Sequence, residues 1–179
     1  MLNYSVAELR GNLKLGIMRK VLPILAVILM LGSCSKDDGE INGFSEHEKS
    51  VLEAIQGTFY GEYSINNGAT VYRTEEITFT PYSEPKEIVS LFGTFKACGD
   101  AIIDEVYTGV ETHSVCYLVI STPVYDGQVQ TVSFYEYNTA SGEVTDKEDK
   151  RILTIVDNST IKLRAYGSAE NNDIIFTKR

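Results

Sequence analysis

Tryptophan is absent from this 179-residue chain, and histidine occurs only twice. The sequence also lacks the HExxH, P-loop, GxGxxG and GxSxG patterns, which set metal-binding, phosphate-binding or nucleophilic groups at a fixed spacing. Without these motifs, the sequence offers no recognisable metalloenzyme, nucleotide-binding or esterase-type site. We therefore expect a protein that is not an enzyme and that has no cofactor or metal site.

Basic residues are few, since 16 Lys and Arg stand against 25 Asp and Glu and give a net charge of -9. The first 33 residues carry more basic than acidic side chains, so the rest of the chain is more acidic still. Such a surface repels phosphate backbones and anionic lipids. Nucleic acid is therefore excluded as a partner, and any attachment to a membrane has to come from another feature.

No hydrophobic run is long enough to span a bilayer. The apolar run at residues 21–31 has 11 residues, whereas a spanning helix needs about 20. Arg19 and Lys20 precede this run, and a short basic segment followed by a short apolar one is typical of a signal peptide, predicted here at residues 18–33. Because that signal is complete without them, residues 1–17 are interpreted as a mis-annotated upstream extension, with a genuine extension as the alternative.

The motif Leu-Gly-Ser-Cys at residues 31–34 resembles the bacterial lipobox. The resemblance implies cleavage before Cys34 and lipid attachment to it, which would anchor the protein in a membrane. Residues 35–40 (SKDDGE) resemble a surface-export signal of lipoproteins in one large group of Gram-negative anaerobes, and they also suit a solvated tether at residues 34–44. We expect an outer-membrane lipoprotein on the cell surface, with the periplasmic face as the alternative.

The folded domain is predicted at residues 45–179 and begins with one short helix. Ser45 and Glu48 have the spacing of a helix capping box. Apolar residues follow at helical spacing, which predicts an amphipathic helix over residues 46–56.

From Gly57 onward the hydrophobic periodicity changes to two, which indicates strands separated by turns. Proline interrupts this pattern at residues 81–85, a second break falls at residues 97–100, and residues 139–150 are predicted as a polar loop. The short connections predict an all-β fold, an antiparallel up-and-down meander that closes into an eight-stranded barrel, with a β-sandwich as the alternative. The strand-like segments are residues 57–65, 71–80, 88–96, 101–110, 115–121, 128–138, 151–156, 160–166 and 173–178.

The order of these elements resembles the small lipocalin-like domains of bacterial lipoproteins. A short helix is followed by Gly57-Thr58-Phe59, the meander and a final strand, and Phe59 stands where lipocalins usually have tryptophan. The resemblance implies an eight-stranded barrel whose mouth holds one small ligand.

Aromatic residues supply the candidates for a ligand-lining surface. The chain has 11 Tyr, and a tyrosine ring stacks on sugars or apolar groups while its hydroxyl forms hydrogen bonds. Alternation along the strands places Phe134 and Tyr135 on opposite faces, so at most one of them lines the interior. The candidate lining residues are Phe59, Tyr63, Phe79, Tyr117, Phe134 and Tyr135.

Cys98 and Cys116 are the two cysteines that remain after Cys34. An even number of cysteines outside the cytoplasm favours a disulfide, which in the chain-entropy model stabilises by about 3 kcal/mol. Two separate buried thiols are the alternative.

The sequence favours a binding function over a structural one. The leading hypothesis is a lipid-anchored barrel that binds a small apolar or sugar-like ligand, and the alternative is an accessory subunit that docks on another envelope protein through an exposed apolar face. His47 is expected at the solvated start of the helix, and His113 in an exposed turn.

Overall fold

The computed structural model describes residues 43–65, 70–121, 123, 129–169 and 172–179. Cys34, the predicted signal peptide and nearly all of the predicted tether lie outside the described residues. Among the residues that are described, no helix is long and apolar enough to cross a bilayer.

The helix α1 spans Glu46–Ile55 and begins at the predicted capping box. The Glu48 backbone N–H donates to the Ser45 hydroxyl at 3.2 Å, and the Ser45 backbone N–H donates to the Glu48 carboxylate at 2.8 Å. Val51, Leu52 and Ile55 are buried in the main hydrophobic core. The helix therefore packs its apolar face against the end of the barrel where the first strand begins.

Eight antiparallel strands form one closed barrel in sequence order. Closure comes from pairing of the last strand with the first, in the register Phe59 with Lys178 and Gly61 with Phe176. The predicted all-β meander and eight-stranded barrel are confirmed, and the sandwich alternative is excluded. The strands are β1 (Gly57–Ile65), β2 (Thr70–Ser90), β3 (Gly93–Tyr107), β4 (Val110–Ile120), β5 (Thr131–Tyr137), β6 (Val144–Asp157), β7 (Thr160–Ala165) and β8 (Ile174–Lys178).

The predicted breaks at residues 81–85 and 97–100 are wrong, because β2 and β3 continue through them. The β2–β3 ladder shifts register between Pro81 and Lys86, and this irregularity accommodates the prolines. Gly99 is required here, since an added Cβ would lie 2.6 Å from the Thr80 carbonyl oxygen. We call the resulting extension of the β2–β3 hairpin, residues 82–98, the arm.

The predicted polar loop at residues 139–150 is also too long, because β6 already begins at Val144. Tyr135 pairs with Glu148, and Tyr137 pairs with Val144. Polar and charged residues dominate this part of β6, so apolar alternation could not reveal it.

Apolar side chains fill the barrel next to α1. Phe59 and Phe79 meet edge to face with their ring centroids 6.0 Å apart, and Phe134 and Phe176 belong to the same buried cluster. The helix, the closed ring of ladders and this core all lie within residues 43–179, so a fragment with these residues keeps every packed element that the structure describes. Only the opposite end of the barrel is left open.

Candidate functional site

A cavity of about 520 Å³ occupies the open end of the barrel. Its floor includes the apolar residues Ile103 and Phe134, and its walls come mainly from inward-facing residues of strands β2 to β6, such as Thr112 and Ser114, with Phe92 of the arm also in the lining. This volume is in the range of small-molecule sites. We call this cavity the chamber.

A buried ion pair lies at the floor of the chamber. Glu75 is fully buried, and its carboxylate accepts two hydrogen bonds from Arg151, at 3.0 Å from Nη1 and 2.7 Å from Nη2. The Tyr63 hydroxyl donates to the same carboxylate at 2.5 Å, and Arg151 Nε donates to Asp149 at 2.9 Å. The Arg151 guanidinium and the Tyr63 hydroxyl are thus held in fixed positions by hydrogen bonds within the protein.

These contacts also shift the pKa values of Tyr63 and Arg151. Burial raises the pKa of Tyr63 above its usual range, and the Glu75 carboxylate raises it further. For Arg151, burial lowers the pKa, but Glu75 outweighs burial and the net effect is a pKa above the usual range. Both groups therefore stay protonated at any physiological pH, Tyr63 as a neutral donor and Arg151 as a cation.

Arg73 extends this network toward the rim. Its guanidinium lies 2.8 Å from Glu105 and 3.6 Å from Glu75. Within the described part of the chain, the buried Nε of Arg73 has no hydrogen-bond partner. An unpaired buried donor is unfavourable, so an acceptor oxygen from a bound molecule or water would stabilise this position.

The chamber carries charges of both signs with an acidic excess. Its basic lining residues are Arg73, Lys147 and Arg151. Its acidic lining residues are Glu75, Glu105, Glu136, Asp146, Glu148 and Asp149. Such a lining offers many donors and acceptors but repels anions. It suits a neutral polar molecule better than a fatty acid or a phosphate.

The structure divides the predicted ligand-lining residues into three groups. Phe134 lines the chamber, and Tyr63 lines a second opening of about 890 Å³, which shares Arg73, Asp149 and Arg151 with the chamber. Phe59 and Phe79 point inward but lie in the packed core.

The placement of Tyr117 and Tyr135 in the interior is wrong, because both point to the outer face of the barrel. There they form a second buried cluster under the arm. Phe95 of the arm stacks on Tyr135 at 4.9 Å between ring centroids, and Tyr117 stacks on Tyr137 at 4.0 Å. The arm therefore covers the outward-facing aromatic rings of β4 and β5.

Cys98 and Cys116 are free and buried, so the predicted disulfide is not formed. Cys116 pairs with Ala101 on β3. Cys98 lies three residues before Ala101 on that strand, which displaces it along the strand by about 10 Å from the position opposite Cys116. Disulfides need a Cα separation below about 7 Å. The two-thiol alternative matches the structure.

Burial of these thiols predicts a loss of stability at high pH. Burial raises the pKa of Cys98 to about 11 and of Cys116 to about 12, both from 9.0. A thiol whose pKa is raised by folding contributes its full stabilisation at pH values below its unfolded-state pKa. This contribution is lost as the pH rises through the folded-state pKa. The free energy of unfolding should therefore be constant up to about pH 8.5 and fall above about pH 9, by up to about 1.4 kcal/mol per pH unit for each thiol.

Urea unfolding monitored by circular dichroism at about pH 7.5, 9 and 10 measures this dependence. A variant with Cys98→Ala and Cys116→Ala is the matched control and should show a shallower fall over this interval. Equal slopes for the two proteins would contradict the assignment to the thiols.

Neither histidine lines the chamber. His113 is exposed and bonds Asp104 at 2.6 Å on the outer face, whereas Glu105 points into the chamber. His47 bonds Gln130 at 2.5 Å beside the start of β5. Within the described ranges, no group of three or more His, Cys, Asp or Glu residues is arranged to hold a metal ion.

The residues that sequence reasoning missed are Arg73, Glu75, Asp149 and Arg151. A signal for two of them was present in the alternation, because Glu75 shares the face of Ile77 and Phe79, and Arg151 shares the face of Leu153. Charged residues at inward positions of a strand pattern are expensive to bury and therefore indicate a polar site.

The fold and the site together define a class, a closed eight-stranded antiparallel barrel with a charged chamber at its open end. No family model matches the chain, and no curated protein or solved structure matches it.

Proposed function

We propose that this protein is a lipid-anchored protein of the bacterial cell envelope whose barrel binds a small, neutral, sugar-like molecule in the chamber. The observation that carries the proposal is a chamber of about 520 Å³ with donors and acceptors of both charge types around a fixed Glu75–Arg151 pair. A polyhydroxylated ligand satisfies both kinds of group at once.

The same observation favours a sugar-like ligand over an apolar one. The apolar part of the barrel interior is filled by side chains next to α1, so an alkyl chain finds no space there. At the open end, apolar contact is offered by Phe134 and Ile103, which suits the less polar face of a sugar ring.

The anchor is proposed from the lipobox-like motif before Cys34 and the short apolar run that precedes it. Lipid on Cys34 would hold the domain at the outer membrane, with the cell surface as the proposed side. The acidic residues after Cys34 suit a solvated connection between lipid and barrel.

Ligand binding by the unchanged domain, and its loss when the chamber is filled, test the binding function. Saturation-transfer NMR on residues 35–179 would use glucose, galactose and N-acetylglucosamine as neutral probes and laurate as an anionic apolar probe. Signals are expected for at least one sugar and not for laurate. Ser114→Trp should weaken sugar binding by about tenfold or more, because the indole occupies the chamber that Ser114 lines.

The matched control is His113→Trp, an indole on the same strand at an exposed position that faces outward. It should leave sugar binding unchanged within about twofold. Equal behaviour of the two variants, or binding of laurate alone, would overturn the proposal. An accessory role through the exposed apolar rim residues Tyr72, Val106, Tyr107 and Val110 would then be the better hypothesis.

A further inference from the structure

The tip of the arm carries apolar residues where hairpin turns usually carry polar ones. Leu91 and Phe92 form the turn between β2 and β3, and Val89 precedes them. Their exposed fractions are 80% for Leu91, 56% for Phe92 and 70% for Val89. Gly93 supplies the positive φ of this turn, 128°, so its geometry does not depend on Leu91 or Phe92.

Packing does not explain these residues either. The arm is fastened to the barrel through Ile88, Phe95 and Ala97, which belong to the outer cluster with Tyr117 and Tyr135. The tip residues lie outside that cluster; Val89 and Leu91 are largely in solvent, and Phe92 is about half exposed where it lines the chamber. Exposed, adjacent apolar side chains of this size indicate an interaction surface.

The charge pattern indicates the chemistry of the partner. Residues 88–95 contain no charged side chain, whereas Glu87 and Lys96 flank them. Phe92 shares the lining of the chamber with Asp146 and Glu148, which disfavour an anionic surface. An uncharged apolar tip with acidic neighbours fits a zwitterionic lipid surface.

The start of the described chain lies at the base of the arm. Lys96 Nζ donates to the Gly43 carbonyl at 3.0 Å, and Gly43 lies against Pro85. The ladder from Lys86 to Ser90 advances about 13 Å toward the tip. The chain from Cys34 to Gly43 reaches at most about 32 Å, which exceeds that advance.

We propose that Leu91 and Phe92 insert into a zwitterionic bilayer as a second membrane attachment, in addition to the lipid on Cys34. The inference rests on the proposed anchor, because the lipid on Cys34 would bring the arm close to a membrane. The two contacts together would hold the barrel in one orientation. Because Phe92 also lines the chamber, the rim of the chamber would then lie at the membrane surface.

Vesicle sedimentation tests this inference without the anchor. Residues 35–179 lack Cys34 and contain the complete fold, and they are mixed with phosphatidylcholine vesicles. The unmodified domain should sediment with lipid, and the Leu91→Ser plus Phe92→Ser variant should show a partition coefficient about tenfold to a hundredfold lower. The matched control is Val156→Ser plus Ile175→Ser, which removes two apolar residues elsewhere that are 52% and 57% exposed and should sediment like the unmodified domain.

A second readout does not depend on a loss of binding. The chain has no tryptophan, so Phe92→Trp introduces a single probe at the tip. Its fluorescence should shift to shorter wavelength when vesicles are added. No shift, or no sedimentation of the unmodified domain, would overturn the inference. A shift without vesicles that grows with protein concentration would also overturn it, in favour of contact between copies of this chain.

Mass spectrometry of the N-terminal peptide from the full chain tests the anchor separately. A lipid-modified Cys34 without vesicle binding by residues 35–179 contradicts only the arm proposal. An unmodified Cys34 with vesicle binding contradicts only the anchor, and the arm would then be the sole membrane contact.

Discussion

Replacing Arg151 by methionine should lower the free energy of unfolding by about 3–5 kcal/mol, because the buried Glu75 carboxylate would keep only the Tyr63 hydrogen bond and the 3.6 Å contact to Arg73. Glu75 is fully buried and accepts both of its guanidinium hydrogen bonds from Arg151. Methionine retains much of the side-chain volume but supplies no donor. Urea unfolding at neutral pH, monitored by circular dichroism, measures the loss.

The control for this prediction removes both charges. The double variant Arg151→Met and Glu75→Leu removes the buried carboxylate and leaves only Asp149, which is 47% exposed, without its arginine, so it should recover most of the stability lost in the single variant. If the double variant is as unstable as the single one, the loss arises from packing and not from the unpaired charge.

Replacing Phe176 by alanine should cost about 3–5 kcal/mol, because it leaves a cavity in the filled part of the core. Phe176 is fully buried and lies on β8, the strand that closes the barrel against β1. An ideal Cβ on Gly61 would lie 2.7 Å from the Phe176 ring, which shows how closely the ring packs on β1. The same urea experiment measures this loss.

Ile175→Ala is the matched control for the Phe176 prediction, since Ile175 is the adjacent residue on β8 and points outward with 57% of its surface exposed. Its effect should stay within about 0.5 kcal/mol. Equal losses at the two positions would mean that strand pairing, rather than filling of the core, determines how much the contact between β8 and β1 stabilises the barrel.

The charged floor fits the proposed binding role better than a purely stabilising one. Burying Arg151 and Glu75 removes both from water, and such pairs are often no more stabilising than apolar residues of the same volume. Tyr63 and Asp149 complete the hydrogen bonds of the pair and keep its donors in place. A fixed polar floor loses little freedom when a ligand binds.

Local sequence patterns were sufficient for the elements that depend on neighbouring residues. Ser45 and Glu48 identified the start of α1, and the alternation after Gly57 identified a strand meander without a crossover helix. Barrel closure was the favoured expectation, because closing removes the exposed edges of a meander, and the structure then excluded the sandwich alternative. Alternation also suggested Phe59, Phe79 and Phe134 for the inner face, but of these only Phe134 lines the chamber, and Phe59 and Phe79 lie in the packed core.

Tertiary structure alone decided the features that depend on register between distant strands. Alternation distinguishes two faces of a strand but does not say which one is covered, so it could not show that Tyr117 and Tyr135 lie beneath the arm. The proline-containing segment of β2 continued as a strand because a register shift between Pro81 and Lys86 leaves residues 82–85 out of the ladder with β3. Arg151 and Glu75 are 76 residues apart in sequence, and only the closed barrel brings them into contact. The polar chamber exists because closure turns these charged positions inward, where no local pattern can specify their partners.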